Sequence, residues 1–176
     1  MSLKDLTWKY HQDAERTEHA RKLLLGMSPN EYHRYLFNQY HIYVALEYYA
    51  TKRGVLTGIE EICRGSRIHD DIDELNKLHK LNDPVVCDVV SEYVDYVEAL
   101  TNPNDILAHI YVRHFGDMYG GQIISKRNPG SGKMYEFDNV EALKTTVRAK
   151  LSDDMADEAN RCFQFAIQLF KELSNE

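Results

Sequence analysis

The sequence predicts an all-α fold, a single-domain helical bundle over residues 1–176. Three observations carry that expectation. Apolar residues recur at helical spacing in one segment after another. Helix-start signatures, a polar cap followed by proline, stand in front of several of them. No segment alternates apolar and polar residues as a half-buried strand would. A chain of 176 residues, 43% of them hydrophobic, is long enough to bury one sizeable core.

Taken in order, Leu3, Leu6, Tyr10, Ala14 and Thr17 share a helical face, and the first helix is expected to end near Gly26. "SPNE" follows, with Ser28 as cap, Pro29 at the first helical position and Glu31 closing a capping box, which starts a second helix running to about Lys52. Residues 53–82 read as a loop with one or two short helices. Asp83 and Pro84 repeat the proline device ahead of apolar positions 85, 86, 89, 90, 93, 94, 97 and 100, whose period is near that of a helix. Asn102 and Pro103 open a fourth long helix, "TNPNDILAHIYVRHF". "NPGSGK", 128–133, is a turn-rich break. Asp138 and Glu141 form a further capping-box pattern before "ALKTTVRAKL". Ser152 is placed to cap the last helix, whose Met155, Phe163, Ile167 and Phe170 make one stripe.

A formal net charge of −7 argues against nucleic acid as partner. Cys63, Cys87 and Cys162 include no C-x-x-C pair, which disfavours a cysteine zinc site. Their odd number, with no signal peptide in view, fits a reducing cytoplasm. No apolar run approaches the roughly 20 residues of a membrane span, and the chain ends in the polar "FKELSNE". The expectation is a soluble cytoplasmic protein with no membrane and no nucleic-acid partner.

Eight histidines raise the question of metal, and for His33, His41, His69, His79 and His109 a structural role is the simpler reading. A di-iron bundle would need Glu-x-x-His pairs, and no glutamate here has a histidine three positions later. In "KYHQDAERTEH", His11 and Glu15 lie one turn apart; the pair reads as a surface contact or as a ligating imidazole with a carboxylate on its second nitrogen. "YVRHFGDMYGGQ", 111–122, places Gly116, Gly120 and Gly121 where helix is expected, although each costs about 1 kcal/mol against alanine. Close helix packing, a helix end at 120–121, or a flat ligand lying against bare backbone would each account for them. No strand precedes them, which argues against a dinucleotide loop. Lys144 and Arg148, also one turn apart, form a solvated basic face or a site for ligand carboxylates.

Together these segments resemble the haem oxygenase family, motif by motif over most of the chain. "HQDAE" resembles the proximal-helix segment, "YHIYVALE" (40–47) the second-helix signature, and "YVRHFGDMYGGQ" the distal-helix signature R-x-x-G-D-x-x-G-G-Q. "ALKTTVRAKL" carries the Lys-x-x-x-Arg spacing, and "FQFAIQLFKEL" resembles the final helix.

The resemblance implies a bundle that holds haem b between proximal and distal helices, with His11 as the axial iron ligand and Glu15 as its partner. It implies Lys4, Tyr111, Lys144 and Arg148 at or beside the haem propionates, and Gly116 and Gly120 against the porphyrin. Asp117 would organise distal water, supported by Arg113 and Tyr43, with Phe163 as an apolar wall. The activity implied is cleavage of haem at the α-meso carbon to biliverdin IXα, CO and ferrous iron, using O₂. Haem is both cofactor and substrate. The resemblance further implies reduced ferredoxin, or another reductase, as electron donor and a bilin reductase as a downstream partner. The competing reading is a non-enzymatic haem carrier or sensor with the same fold; a third is a related bundle holding another flat molecule. The chain departs from the family pattern at Tyr119, where a small residue is usual, at His114-Phe115 in place of Tyr-Leu, and at Ala166, where mammalian members carry asparagine. Residues 51–100 match weakly and are shorter than usual, and no C-terminal anchor is seen.

Overall fold

The computed structural model describes residues 1–175 and contains helices, turns and no strand among them. The first expected helix is two. α1 (Leu3–Glu15) and α2 (Glu18–Leu25) part at Arg16-Thr17, because the Thr17 hydroxyl serves both ends. It donates to the Ala14 carbonyl (2.9 Å) and accepts from the Ala20 amide (3.2 Å), a capping role that periodicity alone does not register. Gly26 ends α2 at φ +112°, and a side chain there would meet the Arg127 carbonyl.

α3 (Pro29–Lys52) starts as expected, with both arms of the Ser28/Glu31 capping box formed. It is the central pillar, packing on α4 (Gly65–His79), α5 (Asp88–Ala99) and α6 (Pro103–Ile110). Leu36, Ile42 and Leu46 of α3, Ile68 and Leu75 of α4, Val97 of α5 and Ile106 of α6 are essentially without solvent exposure.

Residues 53–82 hold a four-turn helix, α4, rather than one or two short ones with loop. Its N-terminus is satisfied from a distance: the Glu47 carboxylate accepts from the Arg64 and Gly65 amides at 2.6 and 2.9 Å, so no local cap marks it. The Asp83-Pro84 start is likewise corrected. α5 begins four residues later, after Cys87, whose amide donates to the Asn38 side chain at 2.8 Å.

The fourth expected helix is continuous in path but not in winding. α6 passes through a wide π-helical turn, Tyr111–Phe115, into α7 (Gly116–Arg127). α8 (Val140–Lys150) lacks the predicted capping box; Asn139 precedes it in left-handed conformation, φ +53°. Ser152 makes no cap bond either, and α9 (Ala156–Ser174) follows a short 3₁₀ turn, Asp153–Met155. Within the predicted stripe of α9, Met155 is buried while Phe163, Ile167 and Phe170 are only partly so; Ala159, Cys162 and Leu169 form its innermost line. α1 and α2 both lie along α9, and α2 also touches α7, which closes the bundle around a cleft.

The glycines of α7 divide in function. An ideal Cβ on Gly121 would overlap the Tyr135 ring, whose Cγ is 2.8 Å away, whereas one on Gly116 or Gly120 meets nothing within 4 Å. Gly121→Ala is therefore expected to lower stability by about 1–3 kcal/mol through overpacking. Gly120→Ala is expected to raise the urea midpoint of the ligand-free protein by up to about 1 kcal/mol of helix propensity. Opposite signs in parallel urea melts are the check.

Candidate functional site

The cleft lies where α1, α2, α3, α7 and α9 meet. It encloses about 240 Å³, opens to solvent, and has mostly apolar walls from Leu23, Leu24, Phe163, Leu169 and Phe170. His11 enters from α1, with Glu15 one turn on; Gly116, Asp117 and Gly120 enter from α7, Arg113 from the π-turn and Tyr43 from α3. The sequence-predicted residues His11, Glu15, Tyr43, Arg113, Gly116, Asp117, Gly120 and Phe163 thus share one cleft.

His11 Nε2 stands 3.0 Å from Glu15 Oε1, with Trp8 edge-on at 5.2 Å and Phe163 at 5.8 Å between ring centroids. Its side chain is 41% exposed, the state of an imidazole with a nitrogen still to use. A carboxylate on one ring nitrogen fixes the tautomer and leaves the other to a metal. Across the cleft lie Gly116 and Gly120, and bare Cα atoms there allow a flat ligand to approach the helix axis. The π-turn immediately before Gly116 re-aims this segment, so that Arg113 and His114 turn into the core while Gly116 stays exposed.

Asp117 is half-buried, with one side on the open cleft and the other crowded by protein. Loss of water pushes its pKa up to about 7, against the lowering influence of Tyr43, Arg64 and Arg113. The Tyr43 hydroxyl donates to Asp117 Oδ2 at 2.5 Å, a short charge-assisted bond. Two buried polar atoms of cleft residues, Arg113 Nη2 and Gln39 Oε1, have no hydrogen-bond partner among the described residues. Groups of this kind are commonly satisfied by ordered water.

The raised pKa has a consequence for stability. Unfolded Asp titrates near 3.9, so between about pH 4 and 7 the native state keeps a proton that the unfolded state has lost. The contribution is complete below pH 4 and is lost as pH rises through about 7. Asp117→Asn keeps an acceptor for Tyr43 and does not ionise. Its stability relative to the parent is expected to increase from pH 4 to pH 7.5 in denaturant melts; a constant difference would contradict the assignment.

Lys4, Tyr111, Lys144 and Arg148 do not line the cleft. Lys4 Nζ lies 6.0 Å from the Trp8 ring centre, on the helix of His11. Lys144 Nζ sits 4.0 Å over the Tyr119 ring and 3.4 Å from Glu141, while the Arg148 guanidinium lies 5.4 Å from the Phe115 ring. Tyr111 packs on Phe115, 5.7 Å between centroids. The basic pair is thus gathered on the aromatic residues of the π-turn and α7.

Sequence reasoning missed Gln39, Tyr35 and Tyr135, which also line the cleft. It missed too the buried pair behind it, His114 Nε2 to Glu47 Oε2 at 2.7 Å. The only signal was a polar residue at core-facing positions of α3. Among the described residues no group of three or more His, Cys, Asp or Glu is placed to hold a metal ion alone.

The fold is an all-α bundle with an open, mostly apolar cleft lined by His11 of α1 and by Gly116, Asp117 and Gly120 of α7. The family model for heme oxygenase matches residues 1–172, and the chain belongs to the haem oxygenase family of enzymes. Heme oxygenase 1 of Synechocystis sp. PCC 6803 is 30% identical, over 97% of this chain and 82% of its own. The heme oxygenase of Pyropia yezoensis is 25% identical over 98% and 84%. The crystal structure of heme oxygenase-1 from Synechocystis in complex with heme superimposes with a TM-score of 0.84 at 27% identity, covering 98% of this chain and 90% of that one. The heme oxygenase of Leptospira interrogans shares the fold, TM-score 0.83 at 24% identity. No helix among the described residues is long and apolar enough to cross a membrane.

Proposed function

We propose that the chain, acting as one domain over residues 1–176, binds haem b in this cleft and opens it at the α-meso carbon to biliverdin IXα, CO and ferrous iron. The observation that carries the reading is the pairing of His11 with Gly116 and Gly120 on one cleft, with nothing within 4 Å of where their side chains would begin. The donor set fits haem. One imidazole backed by a carboxylate suits an iron that already has four porphyrin nitrogens. When bound, haem supplies the iron at which O₂ is activated and the ring that is cleaved.

The chain's own residues have separable tasks. His11 would hold the iron, with Glu15 accepting a hydrogen bond from its other ring nitrogen. Gly116 and Gly120 let α7 close on the macrocycle, and Phe163 supports its face. Asp117 holds water rather than metal: its carboxyl, anchored by the Tyr43 hydroxyl and near a protonation midpoint of about 7, passes a proton through that water. Arg113 Nη2 supplies a donor to the same water. Lys4, Tyr111, Lys144 and Arg148, which lie outside the cleft lining, would hold the propionates. Reduced ferredoxin is the electron donor in this reading, ahead of other reductases, and a bilin reductase consumes the product.

Hemin added to the protein is expected to bind one per chain and, with O₂ and reduced ferredoxin or ascorbate, to yield biliverdin IXα by chromatography, with CO released. A haem complex whose Soret band survives repeated reduction in air would instead support a carrier or sensor.

A further inference from the structure

Tyr111, Phe115 and Tyr119 recur every four residues through the π-turn and α7, and their rings form a ladder along one side of it. The centroids of the first two lie 5.7 Å apart and those of the second two 5.0 Å. The cations of α8 rest on this ladder. Lys144 Nζ stands 4.0 Å from the centre of the Tyr119 ring, and the Arg148 guanidinium lies 5.4 Å from that of Phe115 and 5.8 Å from that of Tyr119. Each distance is within the reach of about 6 Å over which a ring face attracts a cation.

Leu143 and Val147 are buried, and Lys144 and Arg148 follow each of them by one position, so both cations leave α8 beside its inner face. Backbone contact between α8 and the other described elements is sparse, which leaves side chains to decide where its cations stand. The Lys144 side chain is only 12% exposed, so its stem is packed rather than solvated. The carboxylate beside its ammonium, Glu141 at 3.4 Å, is 82% exposed and on the same helix. Such a surface pair fixes little. Tyr119 ties Lys144 to a second helix; Glu141 does not. Tyr119 also stands next to Gly120 and three residues after Gly116, on the flank of the strip of α7 that faces the cleft, and is 52% exposed.

We infer that Tyr119 is a positioning residue for Lys144 and Arg148: the ring ladder racks both cations on the flank of α7, where the carboxylates of a ligand in the cleft meet them already placed. A ring holds a cation without neutralising it, so both cations stay available to an anion. The selectivity that follows favours a flat ligand with carboxylates at its edge over the same ligand without them. The carboxylate-bearing ligand rests on the haem reading above; the racking of the cations does not.

In the haem-free protein labelled with ¹³C-lysine, the Lys144 ε-methylene signal, assigned by its loss in Lys144→Gln, is expected upfield of ordinary lysine through the ring current of Tyr119. It is expected to stay there in Tyr119→Phe and to return to the ordinary position in Tyr119→Ser. An ordinary position in the parent, or one that Tyr119→Ser does not move, would overturn the proposal. Titrations then compare hemin with hemin dimethyl ester, whose carboxylates are capped. Tyr119→Ser is expected to weaken hemin binding by about 2–10-fold, the worth of a partly exposed cation–π contact, and to leave the ester unchanged. Tyr119→Phe is expected to match the parent with both. An equal loss for hemin and ester would make the ring merely structural, and hemin binding that is unchanged or tighter would mean that the ring withholds the cations; either result overturns the proposal. A parent that binds neither form would contradict the haem reading, while the lysine signal still decides the racking.

Discussion

Replacing His11 with alanine is expected to abolish the sharp Soret band that hemin acquires on binding, and external imidazole is expected to restore it. The reason is geometric. His11 is the imidazole that lines the cleft while keeping a carboxylate partner at 3.0 Å. Removing only that partner leaves the ligand in place but less well aimed and less basic. Glu15→Ala is therefore expected to weaken hemin binding by about 10–100-fold, with His11→Ala costing more. The ordering matters as much as the size. Hemin held by hydrophobic contact alone would respond to neither substitution and would need no imidazole.

Asp117→Ala is the second large effect. General acid–base groups are worth about 10²–10⁴-fold in rate, and a loss of biliverdin formation in that range is expected while hemin affinity changes little. The Tyr43 hydroxyl would lose its acceptor and the cleft its one carboxyl with a midpoint near neutrality. Tyr43→Phe leaves the carboxyl in place without its anchor, and a smaller loss is expected. Single-turnover assays with hemin preloaded separate the two effects from binding. Parent-like biliverdin yield in Asp117→Ala would remove Asp117 from the chemistry.

How much of this was legible in the sequence depends on where each residue's partners lie. Elements whose start signal is local were read correctly: the Ser28/Glu31 box opens α3 within a residue of expectation, and Asn102-Pro103 opens α6. Elements whose ends are satisfied at a distance were not. Glu47 caps α4 from 17 and 18 residues away, and Asn38 takes the amide that precedes α5 from 49 residues away. Thr17 misled because it fits the apolar periodicity of α1 by position while its hydroxyl ends that helix.

The site divides in the same way. Side chains that carry chemistry and repeat at one-turn spacing, His11 with Glu15 and Gly116 with Gly120, could be picked out from the sequence, and they meet in the cleft. Gly121 could not be separated from its neighbours without the Tyr135 ring against which it packs.

The central claim is that one haem lies between His11 and the bare backbone of α7. A crystal structure of the hemin complex tests it most directly. The expected result is one imidazole nitrogen of His11 bonded to iron and the Cα atoms of Gly116 and Gly120 in contact with the opposite porphyrin face. Iron ligated by any other histidine, or hemin seated on a surface that does not include residues 116–120, would contradict it.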